Sequence, residues 1–175
     1  MIRWVAVLTL LLSTASSLSA QRDRGSINLG YSYSRFSVEK LSGSSIYGTF
    51  SKTFYNPLFI NVSASYGLVN RTDTLSDQQL QTFSVGLEGA YAFINDDRQQ
   101  LKAGAGLSGR FFDDNWILDS TRATRSSAFK PGISLHLSYD VFLSDQWLIG
   151  GRALLQRYES DNTVYLLGAH LGFRL

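Results

Sequence analysis

Residues 80–94, LQTFSVGLEGAYAFI, sort their side chains by size as well as by polarity. Alternate residues of a strand face opposite sides, so Phe83, Val85, Leu87, Tyr91 and Phe93 share one face. Ser84, Gly86, Glu88, Ala90 and Ala92 share the other. Two further segments repeat the pattern. Ile60, Val62 and Tyr66 oppose Asn61, Ser63 and Gly67, and Leu101, Leu107 and Phe111 oppose Gly104, Gly106 and Ser108. In 133–141 the outward set is Ile133, Leu135, Leu137, Tyr139 and Val141, against Ser134, His136, Ser138 and Asp140. The bulky set is apolar and the small set is polar. A small closed barrel has barely enough interior for its inward side chains, so the small set belongs inside. A bulky apolar exterior aggregates in water and is correctly solvated in lipid. A lipocalin-like soluble barrel needs the reverse arrangement.

Eight such strands are predicted: 25–36, 45–55, 58–69, 80–94, 100–112, 129–142, 146–158 and 163–175. No helical period of similar length competes with them. Each is at least about as long as the 9–11 residues a tilted membrane strand needs. The connections alternate. SVEKLSG, NRTDTLSDQQ and DDNWILDSTRATRSSA are long, whereas NP, NDDRQ and LSDQ are tight; the seventh, ESDN, breaks the trend. Long loops at one end and short turns at the other describe an eight-stranded antiparallel up-and-down transmembrane β-barrel. Aromatics gather toward both strand ends, as interface girdles do. Phe54, Tyr55, Phe59, Tyr91, Phe93, Phe142, Trp147 and Phe173 lie toward the turns. Tyr33, Phe36, Tyr47, Tyr66, Phe111, Phe112, Phe129, Tyr158 and Tyr165 lie toward the loops. Strand 2 admits either phase: if Phe50 and Phe54 point outward, so does Lys52, which then snorkels to an interface.

The first 20 residues read as a secretory signal, with Arg3, the apolar run WVAVLTLLL and the small residues STASSLSA. Cleavage after Ala20 leaves 21–175 as one barrel domain. Arg3 is one of 16 basic residues; its removal leaves 15 against 14 acidic, a charge of +1. That balance gives no electrostatic basis for nucleic-acid binding. With no cysteine, two histidines and no H-E-x-x-H motif, neither a metal site nor another cofactor is expected.

On these grounds the chain resembles the small eight-stranded outer-membrane barrels of Gram-negative bacteria, the OmpA/OmpX type, over 25–175. The terminal strand TVYLLGAHLGFRL carries the resemblance, with Leu167, Ala169, Leu171, Phe173 and Leu175 on one face. It departs from the pattern in ending on Leu175 rather than an aromatic, and in placing His170 where glycine is favoured. The resemblance implies an outer-membrane location and three kinds of partner. These are outer-membrane lipid, the barrel-assembly machinery with periplasmic chaperones, and an extracellular ligand or host surface reached through the loops.

Glu88, Lys102, Arg110, His136, Asp140, Arg152, His170 and Arg174 are expected to form a polar network in the lumen, together with Gln156. Buried charges must pair and hydrogen-bond, because isolation costs several kcal/mol per ion. Leu148 and Leu154 share the inward phase of Arg152 without an evident reason. The function expected is structural or surface interaction of an adhesion type, with no catalytic residues. Two alternatives stand beside it. One is a small passive pore. The other is a lipid-modifying enzyme, because His136-Leu137-Ser138 resembles the H-x-S element of outer-membrane lipid A deacylases, with Asp140 the carboxylate on that strand face. That family usually has asparagine where Tyr139 stands. In the fifth connection, Trp116, Ile117 and Leu118, with Arg122 and Arg125, offer a contact surface or a hairpin extension. Asp113, Asp114 and Asp119 lack the spacing of a calcium loop. On this reading Leu87→Arg impairs assembly and Glu88→Gln changes folding less drastically.

Overall fold

The computed structural model describes residues 25–37, 41–73, 76–119, 122–158 and 163–175; over 70–73, 76–80, 113–119 and 122–127 it describes the backbone. The signal segment 1–20 lies outside the described residues. Eight strands follow in order: β1 (Gly25–Phe36), β2 (Ser42–Tyr55), β3 (Leu58–Asp73), β4 (Ser76–Asn95), β5 (Gln99–Asp119), β6 (Arg122–Phe142), β7 (Trp147–Tyr158) and β8 (Thr163–Arg174). Every neighbour is antiparallel, and β8 pairs back onto β1 from Ser26↔Arg174 to Phe36↔Val164. The sheet is therefore closed, and no strand edge is left open at the height of the shared barrel.

Side-chain phase follows the size rule. Leu87 is 58% exposed on the outer wall, and its neighbour Glu88 is 1% exposed inside. In β2, Ser45, Tyr47, Thr49 and Ser51 point inward, which settles the open phase and leaves Phe54 outward and Lys52 half-buried on the outer wall. Inward glycines make room for larger neighbours. A Cβ on Gly104 would meet His136 Cε1 at 2.4 Å, and one on Gly150 would meet Asp140 Oδ1 at 2.3 Å.

The girdle assignment needs correction. Phe36, Tyr47, Phe59 and Tyr158 are buried inside the barrel, and Phe112 packs against the inner apolar cluster. Phe142 shares the inward phase of His136 and Asp140. Axial position alone sorted these rings; parity along the strand decides their face. Tyr33, Tyr66, Phe111, Phe129 and Tyr165 remain outward toward one end, and Phe54, Tyr55, Tyr91, Phe93 and Trp147 toward the other.

Two connections read as loops are mostly strand. β3 and β4 stay paired to Asp73↔Ser76, and β5 and β6 to Asp119↔Arg122. The signal was missed because above a membrane both faces meet water, so apolar alternation fades while the ladder continues. The result is a four-stranded sheet, β3 to β6, rising on one side above the shorter β7, β8, β1 and β2. At the other end the turns are tight. Asp96 Oδ1 accepts the backbone N–H of Arg98 at 2.8 Å and of Gln99 at 2.7 Å. These bonds hold its carboxyl below the usual aspartate range.

Two outcomes follow. A central lipid-facing arginine costs roughly 2–4 kcal/mol, so Leu87→Arg should sharply reduce the folded fraction, read as loss of heat-modifiable mobility on a mild detergent gel. For Asp96 the folded pKa is depressed, so its turn bonds are intact above the free value of about 3.9 and are lost as pH falls through the folded value. The Arg98 and Gln99 amide resonances should therefore titrate together with a midpoint below about 4; a midpoint at or above that value would contradict the geometry.

Candidate functional site in the barrel lumen

Three polar groups are stacked along the lumen. At the centre Glu88 of β4 reaches across to β7 and accepts a hydrogen bond from Arg152 Nη2. Arg152 Nη1 donates to Thr49 Oγ1 at 2.8 Å. His136 of β6 places Nδ1 2.8 Å from Glu88 Oε2, at ion-pair distance but outside hydrogen-bond alignment. His136 Nε2 lies 3.3 Å from the amide nitrogen of Asn61, whose Oδ1 accepts from Ser51 at 2.6 Å. Residues from β2, β3, β4, β6 and β7 thus meet around one carboxylate.

A second group lies toward the turns. Lys102 Nζ is 3.1 Å from Asp140 Oδ2, and His170 Nε2 is 2.8 Å from Asp140 Oδ1. An ionised carboxylate only accepts, so Nε2 carries the proton, and in the neutral ring Nδ1 accepts from Tyr47 at 2.9 Å. Lys102 also sits 5.3 Å from the Phe59 ring centroid. The third group lies toward the raised sheet. Arg110, 2% exposed, donates to Gln156 Oε1 at 2.6 Å, which also accepts from Tyr158 at 2.7 Å. The guanidinium lies between the Phe36 and Tyr158 rings, 5.5 and 5.4 Å from their centroids.

Above Arg110 an apolar plug of Phe36, Leu41, Val69, Tyr158, Val164 and Leu166 fills the lumen, with Phe112 and Leu154 against it. Leu41, fully buried, folds in from the β1–β2 connection. At the turn end a cavity of about 330 Å³ opens, lined by Asn95, Asp96, Gln100 and Arg174 among others. Between it and the plug the described spaces are only about 10 and 20 Å³, roughly the room one water needs.

The structure thus places Glu88, Lys102, Arg110, His136, Asp140, Arg152 and His170 in the lumen. Arg174 is half-buried at the mouth, its guanidinium 3.7 Å from the Phe142 ring centroid. Arg152 pairs in register with Ser138, but its guanidinium reaches Glu88 rather than nearby Asp140. Asp140 is engaged by Lys102 and His170, so the carboxylate beside His136 is Glu88. Leu148 and Leu154 find their reason here, the first lining the turn-end cavity and the second packing against the plug. Tyr47 was missed as a lumen residue, its parity with Ser51 being the available signal; Asn61 was read as inward but not as a member of the network. Trp116, Ile117, Arg122 and Arg125 lie on the raised hairpin, Trp116 opposite Thr124 and Arg125 opposite Asn115. Their side chains, that of Leu118 and those of Asp113, Asp114 and Asp119 lie outside the described residues.

Ail, the attachment invasion locus protein of Yersinia pestis, solved with the heparin analogue sucrose octasulfate, superposes with a TM-score of 0.66. The match covers 89% of this chain and all of Ail at 14% identity. The fold is that of the small eight-stranded outer-membrane barrels. Neisserial surface protein A matches with a TM-score of 0.64 at 13% identity, over 86% of this chain and 96% of that one. The N-terminal barrel of Pseudomonas aeruginosa OprF matches at 0.57 and 12% identity, over 88% of this chain and all of that domain. No protein-family model and no curated relative matches the chain.

The geometry reverses one sequence-based expectation. Glu88→Gln is not the less drastic change, because it leaves Arg152 buried without its carboxylate; breaking such a pair costs about 3–5 kcal/mol. Urea unfolding from lipid vesicles, followed by tryptophan fluorescence, should show that loss. The double substitution Glu88→Gln with Arg152→Gln should recover part of it, giving a non-additive cycle. Additive costs would mean that the two side chains act independently.

Proposed function

We propose that the protein is an integral outer-membrane barrel of structural or surface-interaction type, neither a pore nor an enzyme. The observation that carries this reading is the filled lumen: an apolar plug over three stacked polar groups. Such an interior ties the walls together, and the described spaces between the plug and the turn-end cavity are only about 10 and 20 Å³. The bulky exterior between two aromatic girdles supports residence in a bilayer. An adhesion-type role then falls to what stands above it, the raised β3–β6 sheet. Against the deacylase alternative, His136 and Ser138 are buried in the lumen, and Asp140 is held by His170 and Lys102. That constellation has no access to a lipid headgroup and no acid oriented on His136 from its own strand. Assembly-machinery and chaperone partners belong to the same reading, supported by the amphipathic terminal strand.

Separate measurements check the surface, pore and enzyme readings. Replacing residues 114–126 with a short Gly-Ser link should leave a heat-modifiable barrel, because the hairpin lies beyond the closed part of the sheet. Binding of cells carrying the shortened protein to host surfaces should fall several-fold; unchanged binding removes this hairpin as the contact site. In planar bilayers the wild-type chain should give no steady single-channel conductance. Regular open steps would sink the sealed-lumen reading, and altered lipid A mass in expressing cells would sink the non-enzymatic one.

A further inference from the structure

The sealed lumen has one roomy chamber, the cavity at the turn end. Its volume of about 330 Å³ lies within the range of about 300–1,000 Å³ typical of small-ligand pockets. The described space next to it holds about 10 Å³, and Ser51 lines both. A molecule entering between the turns therefore comes to rest in this cavity.

A chain of side-chain amides crosses its lining. Gln100 Nε2 of β5 donates to Asn95 Oδ1 at 2.7 Å. Asn95 Nδ2, at the end of β4, donates to Asn56 Oδ1 in the β2–β3 turn at 2.8 Å. An amide carries two N–H donors and a carbonyl acceptor, so these two bonds fix three planes and leave donors and acceptors over. Gln100 is 8% exposed, so part of this polar capacity is presented from inside the barrel.

The rest of the lining is mixed. Phe59 and Leu148 are buried and supply an apolar side. The charged lining residues are Asp96, Asp97 and Arg174. Asp96 is held in place by the backbone N–H groups of Arg98 and Gln99, and Arg174 by its stacking on Phe142. Two carboxylates against one guanidinium are close to balance, so the lining is polar without selecting strongly for either charge.

That combination sorts ligand classes. An acyl chain would cover the amides and leave them unmet, which costs free energy. A pyranose ring suits them. Each ring hydroxyl both donates and accepts, as each amide does. Its C–H face is apolar, as are Phe59 and Leu148. The geometry points to a binding site in the turn-end cavity for a pyranose ring, its hydroxyls held by the amides of Asn56, Asn95 and Gln100 and its C–H face against Phe59 and Leu148. The site rests on the outer-membrane reading above, which turns this end toward the periplasm. The ring then belongs to a periplasmic glycan, either an N-acetylated amino-sugar chain of the cell wall or a neutral glucan.

The test follows the side-chain amide resonances of Asn56, Asn95 and Gln100 by NMR, with the full chain in phosphatidylcholine nanodiscs. The probes are an N-acetylglucosamine tetramer, a glucose tetramer and glycerol. In wild type all three amides should shift saturably with one of the tetramers, half-complete on the order of 1 mM, as a few neutral hydrogen bonds imply. Response to the amino-sugar tetramer supports the site with a cell-wall source; response to the glucose tetramer alone supports it with a glucan source. Ser26→Trp, which puts an indole into the cavity, should abolish the shifts. Asn95→Leu, at an exposed strand end, breaks both amide bonds and should weaken binding about tenfold, read on the Gln100 amide. Val62→Trp, on the outer wall of β3, should change nothing. No saturable shift with either tetramer overturns the proposal. So do equal shifts with glycerol at matched hydroxyl concentration, because the ring is then not recognised, and undiminished binding by Asn95→Leu. Heat-modifiable mobility is scored for every chain. Its loss in wild type sinks the membrane reading itself, whereas a heat-modifiable barrel that ignores both tetramers sinks the sugar site alone.

Discussion

Hydrocarbon offers a peptide group no hydrogen-bond partner, and that single deficiency governs this molecule. Each N–H and C=O at membrane depth must be met by another strand, and the last strand must return to the first. The pairing of β8 with β1 from Ser26↔Arg174 to Phe36↔Val164 meets that requirement. Once eight strands close, the interior has a fixed and small cross-section. Everything about the inward residues follows from it. Gly104 is glycine because His136 occupies the space its Cβ would need, and Gly150 because Asp140 and His170 do. Size selection inside and bulk outside are two results of one closure.

The same narrowness makes the charged lumen workable. Glu88 and Asp140 are each almost fully buried, a position that would cost several kcal/mol if either stood alone. Neither does. Each meets a cation and an imidazole, and the imidazoles are tied in turn to Asn61 and Tyr47. Five strands converge on Glu88, so the network cross-links the wall through its middle as well as around its circumference. Arg110 follows another rule. Two aromatic faces and the Gln156 carbonyl surround its guanidinium, at the boundary between polar lumen and apolar plug.

Much of this was legible in the residues. Strand number, order and phase followed from alternation combined with size, and β1 was placed to the residue. The inward charges were named, because parity with serine and glycine marks a lumen face. Partnership was harder. The strand ladder makes Ser138 the neighbour of Arg152, yet a long side chain crosses a narrow lumen more easily than it bends back along its own wall. Aromatic rings misled for a related reason: Phe36 and Tyr158 sit where a girdle ring would, but on the inner face. Leu41 gave no signal at all, since a connection has no periodicity to show that one of its residues turns inward. The β3–β4 and β5–β6 hairpins were cut short because the apolar alternation that betrays a membrane strand ends at the interface, whereas backbone pairing does not.

One consequence of the uneven rim remains. Four consecutive strands rise above the barrel and the other four stop short, so the molecule has a tall side and a low side. A cylinder spinning about the membrane normal looks alike from all bearings; this one has a heading. A large body approaching over the low side meets the inner face of the raised sheet. From the opposite bearing it meets the sheet's back. Which way each copy happens to point then decides which surface it offers, and a population of identical chains presents a mosaic of differently facing surfaces.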